Sequence, residues 1–327
     1  MSITHHNIGN DWRLIADYRF ENFEEFSEAV HGWDFDFRQL TAGRSKTSVL
    51  QIGNQNFMFS RFFLEQAYDQ HAALPADALT FGVPEAGDNE VITPDGIIQQ
   101  NDVLCIPSGH ELEAITRPHF NGYSVSISEE RINEVAESCG LQSVRFVTRP
   151  DQKVLHCNRE NLAVLRKGLR NISWSLEQIN KTETYSAIFR ELEFNFIKQL
   201  LFTVSDSRPT DKLTISKIKH IRLQRALDFI EANVHKPITV LELAQATGST
   251  ERTLQYIFRD YFNVTPKAFL KSRRMNAVRR ELHTALDRKV TINEIAYRWG
   301  FWHLSQFAAD YRRFFGELPS ETMKKSM

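Results

Sequence analysis

Residues 239–319 carry one residue pattern twice, and this repeat restricts the fold more than any other feature of the chain. The first copy consists of Thr239, Glu242, Leu243, Ala244, Gly248, Leu254, Phe258 and Pro266. The second copy consists of Thr291, Glu294, Ile295, Ala296, Gly300, Phe307, Tyr311 and Pro319. Corresponding residues are 52 positions apart up to the glycine and 53 positions apart after it. The copies therefore differ by one inserted residue.

Each copy begins with Thr-x-x-Glu, which is typical of a capping box at the start of a helix. A short apolar stretch, a glycine and a longer apolar stretch follow, in the order of a helix-turn-helix. The sequence therefore predicts two helix-turn-helix units in tandem, which is an arrangement suited to two neighbouring segments of DNA major groove.

The segment between the copies is predicted to be one long helix. Thr265 precedes Pro266, which pairs a capping residue with a proline at the first helical position. Helical periodicity extends from there to about Leu286, and about 20 residues at ~1.5 Å each span roughly 30 Å. This length is close to the roughly 34–36 Å between recognition helices on one face of B-DNA. Its basic residues are expected to face phosphates, and they are Lys271, Arg273, Arg274, Arg279 and Arg280.

Charge divides the chain into two parts. Residues 211–327 contain 21 lysine and arginine residues against 12 aspartate and glutamate residues, a balance of +9. Residues 1–210 contain 19 against 29, a balance of −10. A basic domain attracts a polyanion because binding releases counterions, whereas an acidic domain is expected to stay off DNA.

The second copy and its surroundings resemble the AraC/XylS family of bacterial transcription factors. The residues that carry this resemblance are Ile295-Ala296, Trp299-Gly300-Phe301, Gln306-Phe307, Tyr311-Arg312-Arg313-Phe314-Phe315-Gly316 and Leu318-Pro319. The similar region runs from about Ile221 to Pro319, roughly a third of the chain. Within the family, residues 274–282 and 299–304 are most similar to the ethanolamine-utilisation regulators. The resemblance implies a sequence-specific DNA-binding transcription regulator. The three cysteines, Cys105, Cys139 and Cys157, are few, unclustered and odd in number, which predicts a reduced, cytoplasmic protein without a disulfide framework.

The geometry of that family implies which side chains of the first copy face DNA. Leu254, Ile257, Phe258 and Tyr261 are expected in the core, and the DNA-facing set is Thr250, Arg252, Gln255, Tyr256 and Arg259. Arginine forks onto guanine and glutamine onto adenine in the major groove. Arg252 and Gln255 are therefore predicted to read bases, and Arg259 to hold a phosphate.

The second copy is predicted to anchor the DNA backbone with modest specificity. Its core is expected to contain Phe307, Tyr311 and Phe314, and its DNA-facing set is His303, Ser305, Gln306, Arg312 and Arg313. The family often places a long polar side chain where Ala309 stands, which weakens base reading here. Phosphate contacts fix register without reading sequence.

The N-terminal part is predicted to be an antiparallel β-barrel, cupin-like, or a β-sandwich over residues ~30–127, followed by helices to residue 204. Residues 123–127 alternate in polarity after the turn sequence Asn121-Gly122, which is typical of a hairpin. Residues 101–110 are similar to a cupin strand motif, but only His110 stands in a matching position, so no metal is predicted. The overall class is α+β, with domains at 1–204 and 217–327 and a linker at 205–216.

The helix predicted at ~183–204 has two apolar faces, whereas a surface helix needs one. Phe194, Ile197 and Leu201 lie on the second face, which is expected either inside the domain or, as the favoured hypothesis, between two subunits of a homodimer.

Three functions fit the sequence. The first is a transcription regulator with a small-molecule effector of unknown identity, and RNA polymerase as a candidate partner. The second is a DNA-binding protein whose first domain only dimerises. The third is a DNA-tethered enzyme, although no catalytic residue or cofactor is predicted because no nucleophile–base, metal or phosphate-loop signature occurs. No apolar run is long enough for a membrane span. The effector, its pocket, the operator and the choice between activation and repression stay open.

Overall fold

The computed structural model describes residues 12–20, 33–87, 89–94, 96–141, 154–178, 185–209, 217–233, 236–285 and 290–325, together with Glu25 and Val30. The chain forms two compact units. The first unit comprises Met1–Asp36, Thr47–Leu64 and Gln70–Leu213, and the second comprises Phe37–Lys46, Glu65–Asp69 and Thr214–Met327. The sequence-based boundary at residue 204 placed both short segments of the second unit in the first domain.

The strands precede residue 210. In the described part of the chain they are β1 (Arg13–Phe20), β2 (Asp34–Gln39), β3 (Thr47–Asn54), β4 (Phe57–Leu64), β5 (Tyr68–Ala73), β6 (Ala78–Pro84), β7 (Val91–Thr93), β8 (Gly96–Ile98), β9 (Asp102–Ile106), β10 (Glu111–Thr116), β11 (Phe120–Ser128), β12 (Val154–His156) and β13 (Arg208–Pro209).

These strands form two sheets. Within the described residues, the larger sheet has the order β1-β3-β4-β11-β6-β9-β12-β13, and the smaller has the order β2-β5-β10-β7-β8. The central strand β11 pairs antiparallel with β4 and β6, so Val125 lies opposite both Phe59 and Phe81. Of the two predicted alternatives, the barrel is therefore wrong, because the described strands separate into two sheets with β1 and β13 at opposite edges of the larger one. Alternating polarity identifies strands, but it does not specify which edges pair.

Three helices cover one face of the larger sheet. They are α1 (Glu129–Ser138), α2 (Arg159–Gln178) and α3 (Tyr185–Ser205), and α3 is close to the helix predicted at ~183–204. The Ser128 hydroxyl caps α1 by accepting a hydrogen bond from the Arg131 backbone N–H at 3.2 Å. Phe59, Phe81 and Val125 belong to the same hydrophobic core as apolar residues of all three helices.

Both apolar faces of α3 are buried within the first unit. Ile197 and Leu201 are 0% and 1% exposed and belong to the core, as do Phe196 and Leu200 from the other face. Phe194 is partly buried and packs against the same core. The prediction that Phe194, Ile197 and Leu201 form a dimer interface is therefore wrong, because these residues pack in the core of the first unit or against it. The second apolar face exists because α3 packs against both α1 and α2.

The second unit contains the remaining helices. In the described part they are α4 (Lys217–Ala232), α5 (Val240–Ala246), α6 (Glu251–Phe262), α7 (Pro266–Thr284), α8 (Ile292–Arg298), α9 (Leu304–Phe315) and α10 (Pro319–Lys325). Phe258, Phe262 and Phe269 pack against one another between α6 and α7 in tilted and edge-on contacts, with centroids of Phe262 and Phe269 4.5 Å apart. Phe307, Tyr311 and Phe315 form a second aromatic group along α9.

Two short segments from early in the chain complete this second unit. The Gln39 backbone N–H donates to Asn276 Oδ1 at 3.0 Å, and Asn276 Nδ2 donates to the Gln39 carbonyl at 2.8 Å. The Phe314 carbonyl accepts hydrogen bonds from Gln39 Nε2 at 2.9 Å and from the Gly43 N–H at 3.0 Å. These bonds are buried or half-buried, so Phe37–Lys46 is an integral part of the helical unit.

Candidate nucleic-acid interface

Both copies of the repeat fold as capped helix-turn-helix units. In the first copy, the Thr239 backbone N–H donates to Glu242 Oε2 at 2.7 Å, and the Glu242 N–H donates to Thr239 Oγ1 at 3.2 Å. In the second copy, the same two bonds join Thr291 and Glu294 at 2.7 and 3.3 Å. The threonine N–H and hydroxyl groups stabilise the carboxylates and lower the pKa of both glutamates. The predicted capping boxes are therefore confirmed.

The turns and helix ends of the two copies also correspond. Gly248 and Gly300 occupy left-handed conformations, with φ of 61° and 76°, between the two helices of their units. The longer helices end at Asn263 and Gly316, with φ of 55° and 78°. Asparagine is one of the few residues other than glycine that visits this conformation routinely.

Helix α6 of the first copy presents a polar face to solvent. Leu254, Ile257, Phe258 and Tyr261 are buried as predicted, whereas the exposed residues include Arg252, Gln255, Tyr256 and Arg259. Thr250 is the N-cap, and its hydroxyl accepts a hydrogen bond from the Thr253 N–H at 3.1 Å. Thr250 therefore has a capping role in addition to its predicted contact with DNA.

Arg252 and Tyr256 contact each other on this exposed face. Arg252 Nη2 donates a hydrogen bond to the Tyr256 hydroxyl oxygen at 3.2 Å. The guanidinium carbon lies 5.7 Å from the centroid of the tyrosine ring. The spacing of four residues could have indicated this pair, because such residues are neighbours on a helix surface.

Helix α9 of the second copy exposes a different set. His303, Ser305, Gln306, Arg312 and Arg313 are exposed. His303 is the N-cap but makes no capping hydrogen bond through its side chain. Among the predicted core residues, Phe307 and Tyr311 are buried but Phe314 is half-buried, and Phe315 is buried at the end of the helix. The prediction for Phe314 is wrong because Phe315, one position on, faces the core.

Asp310 organises polar side chains around the middle of α9. Its carboxylate lies 2.7 Å from Lys271 Nζ and 3.3 Å from Arg313 Nη1. Partial burial raises the pKa of Asp310, but hydrogen bonds from Lys271 and Gln306 outweigh this effect and lower it below its usual value. Two predicted DNA-facing side chains, Gln306 and Arg313, thus share a carboxylate neighbour.

The basic residues of α7 do not form a phosphate-facing surface. Arg279 is 2% exposed and lies 2.9 Å from Glu317 and over the Phe315 ring, with its guanidinium carbon 4.6 Å from the centroid. Arg273 is buried with Asp69 at 3.0 Å. Lys271 and Arg274 are half-buried, so Arg280 alone of the five is exposed in the described part of α7. The prediction failed because α7 is packed on most of its circumference.

Two exposed aromatic residues near α9 were not singled out from the sequence. Trp302 is 65% exposed, directly before the N-cap of α9, and its ring stacks on that of Tyr297 with centroids 5.9 Å apart. A tryptophan directly before the second helix of a helix-turn-helix unit is the signal that could have indicated them. Nearby, Trp299 Nε1 donates to Glu281 Oε2 at 2.8 Å, and Arg298 forms an ion pair with the same glutamate.

Comparison with known proteins identifies this part of the chain. Residues 243–325 match the helix-turn-helix domain family. The chain is 35% identical over 102 residues to the XylDLEGF operon transcriptional activator of Pseudomonas putida, covering 31% of this chain and 32% of that protein. The C-terminal part of the chain therefore matches a helix-turn-helix domain and is similar in sequence to the corresponding part of this transcriptional activator.

Other relatives match the same domain. The probable thc operon regulatory protein of Rhodococcus erythropolis is 38% identical over 99 residues, which are 30% of each chain. The matched part of the chain thus spans about a third of the length of these curated relatives. The crystal structure of the AraC-like transcriptional activator CuxR aligns with 87% of this chain and 99% of its own at 12% identity and a TM-score of 0.41.

The described residues outside this domain contain no group of three or more His, Cys, Asp or Glu side chains placed to hold a metal ion. Burial raises the pKa of the Cys105 and Cys157 thiols to about 12, so both are protonated at neutral pH. His110 Nδ1 lies 3.1 Å from the Ser108 carbonyl. In the same described part, each helix is too short or too polar to cross a membrane.

Proposed function

We propose that the chain is a bacterial DNA-binding transcription regulator that reads two adjacent major-groove segments per subunit. The observation that carries this proposal is the pair of capped helix-turn-helix units in the part of the chain that matches the helix-turn-helix domain family. The second helix of each unit has a polar, exposed face. The net positive charge of residues 211–327 supports it, because phosphate neutralisation supplies much of the affinity of proteins for DNA.

The two copies divide the work between them. Helix α6 exposes Arg252 and Gln255, whose donors and acceptors match guanine and adenine edges. Helix α9 exposes His303 and Ser305 with Ala309, which offer fewer long polar groups. We therefore assign base reading to the first copy, and backbone anchoring to the second through Arg312 and its neighbours.

The first unit is proposed to bind a small-molecule effector, and this binding is proposed to change how the helix-turn-helix units bind DNA. Its acidic composition and separate core support a role away from DNA. We expect a homodimer to use a surface other than Ile197 and Leu201, because these residues fill the core. RNA polymerase is a further proposed partner, in keeping with the relatives named as activators. The closer resemblance to ethanolamine-utilisation regulators and the cytoplasmic location stay predictions.

The test is selection of duplexes from a randomised pool by the full-length chain, followed by measurement of Kd at several salt concentrations. We expect one enriched sequence, and a log–log plot of Kd against salt whose steep slope reflects several phosphate contacts. A folded chain that enriches no sequence and binds DNA without salt dependence would contradict the proposal.

A further inference from the structure

The pair formed by Arg252 and Tyr256 is the most specific contact on the proposed reading face. Both side chains are exposed, and Tyr256 is 53% exposed although it is a large aromatic residue. The arginine nevertheless lies against the tyrosine, with Nη2 3.2 Å from the hydroxyl oxygen. Arginine on an open helix surface samples many rotamers, so a hydrogen bond to a stiffer ring restricts its orientation.

We propose that Tyr256 is a positioning residue that sets the orientation in which Arg252 meets its base. This inference rests on the proposed function, in which Arg252 reads a base. Tyrosine has few rotatable bonds, so it loses little conformational entropy when it serves as a fixed acceptor. A side chain that is already oriented loses less freedom on binding, which favours the correct partner.

The hydrogen bond leaves the arginine able to read guanine. A guanidinium group has five N–H donors in a fixed planar arrangement. One Nη2–H bond points in the same direction as an Nη1–H bond and forms the outer edge of the group with it. The other Nη2–H bond points in the same direction as the Nε–H bond and forms the side edge with it. Whichever Nη2 hydrogen Tyr256 accepts, the other edge keeps two parallel donors for O6 and N7 of guanine. Tyr256 therefore determines which edge of the Arg252 guanidinium group faces guanine.

The second copy lacks this pair and serves as an internal comparison. With the 53-residue offset, Ser305 stands at the position of Arg252 and Ala309 at the position of Tyr256. Arg259 and Arg312 correspond to each other, so both copies keep the arginine that we assign to phosphate. The second copy therefore lacks both the proposed base-reading arginine and its positioning tyrosine, but it keeps the arginine that we assign to phosphate.

The experiment is a double-mutant cycle on the full-length chain, using the duplex selected by the wild-type protein and its single-base variants. The variants are Arg252→Ala, Tyr256→Phe and the combination of both. Tyr297→Phe is the matched control, because it also removes the hydroxyl of an exposed tyrosine, but in the second copy. Circular dichroism confirms that each variant folds, and Kd is measured for every duplex at several salt concentrations.

We expect Arg252→Ala to abolish the preference at one base pair and Tyr256→Phe to reduce preference at the same base pair by about two- to tenfold. The double variant should bind like Arg252→Ala, because Tyr256 acts through the arginine. The salt slope of Tyr256→Phe and the base preferences of Tyr297→Phe should equal those of the wild type.

Two results would overturn the inference in different ways. If Arg252→Ala relaxes one base pair but Tyr256→Phe does not, or if their effects simply add, Tyr256 does not act through Arg252 and the proposed function stands. If Arg252→Ala changes no base preference, the assignment of base reading to Arg252 fails, and the inference fails with it.

Discussion

Arg279 and Arg280 are neighbours in sequence with opposite environments. Arg279 is buried against Glu317 and the Phe315 ring, whereas Arg280 is exposed. Sequence patterning could not distinguish them, because the carboxylate that allows an arginine to be buried lies 38 positions further along the chain. A buried arginine requires such a partner, and helical periodicity carries no information about distant charges.

Substitution of these two arginines is expected to affect stability very differently. Arg279→Ala leaves the Glu317 carboxylate buried without its cation, and we expect the free energy of unfolding to fall by about 3–5 kcal/mol. Arg280→Ala is the control and should change it by about 1 kcal/mol or less, because the interactions of an exposed arginine contribute little to stability. Urea unfolding of both variants measures the difference. If both variants lose the same free energy of unfolding, the buried ion pair of Arg279 with Glu317 stabilises the fold no more than an exposed arginine does.

A second contrast concerns two arginines with different proposed roles. Arg252→Ala should cost on the order of 1–3 kcal/mol on the best duplex and relax preference at one base pair. Arg312→Ala should weaken binding to all duplexes about equally and reduce the salt slope by about 1, because a phosphate contact is lost. Competition binding with the selected duplex and its single-base variants distinguishes them. The reverse pattern would show that the second copy reads bases.

At the scale of single elements, local signals predicted the helical unit well. Capping boxes, a proline at N1 and turn glycines act within a few residues of each other, so α5 to α9 could be located from the sequence. The order of the strands could not be predicted from the sequence, because it depends on pairing between distant segments. The apolar pattern of α3 was detected correctly, but the sequence could not show that one domain covers both faces.

The capping box of α8 makes a testable prediction about pH. Because hydrogen bonds to Thr291 lower the pKa of Glu294 below 4.5, its carboxylate stabilises the fold fully above that value. This contribution is lost as the pH falls through the lowered pKa. Thr291→Ala removes the hydroxyl donor but keeps the backbone N–H, so the pKa of Glu294 should rise part of the way to 4.5.

NMR titration of the Glu294 carboxylate measures this change, and unfolding experiments should show a loss of about 1 kcal/mol for Thr291→Ala. Asn293→Ala, in the same exposed turn, is the control for the pKa. An unchanged Glu294 pKa in Thr291→Ala would show that the hydroxyl does not stabilise the carboxylate.

At the scale of the whole molecule, the second unit depends on the segment Phe37–Lys46. Asn276→Ala removes the side chain that donates to the Gln39 carbonyl and accepts from its N–H. We expect a loss of about 1–3 kcal/mol, because both backbone groups lose a buried partner. Hydrogen exchange at the Gln39 amide should accelerate, whereas the exposed control Lys267→Ala on the same helix should leave it unchanged. Unaltered exchange in Asn276→Ala would show that this bond does not hold the segment.

The same hydrogen bonds impose an order on biosynthesis. Gln39 and Asn276 are separated by 237 positions, and at roughly 5–20 residues per second the ribosome adds the later residue on the order of 10–50 s after the earlier one. Until α7 has been translated, the Gln39 N–H and carbonyl groups must form hydrogen bonds with water or with non-native partners. A chain released before α7 is complete cannot form these bonds, so the second unit can be completed only after residue 276 has been translated.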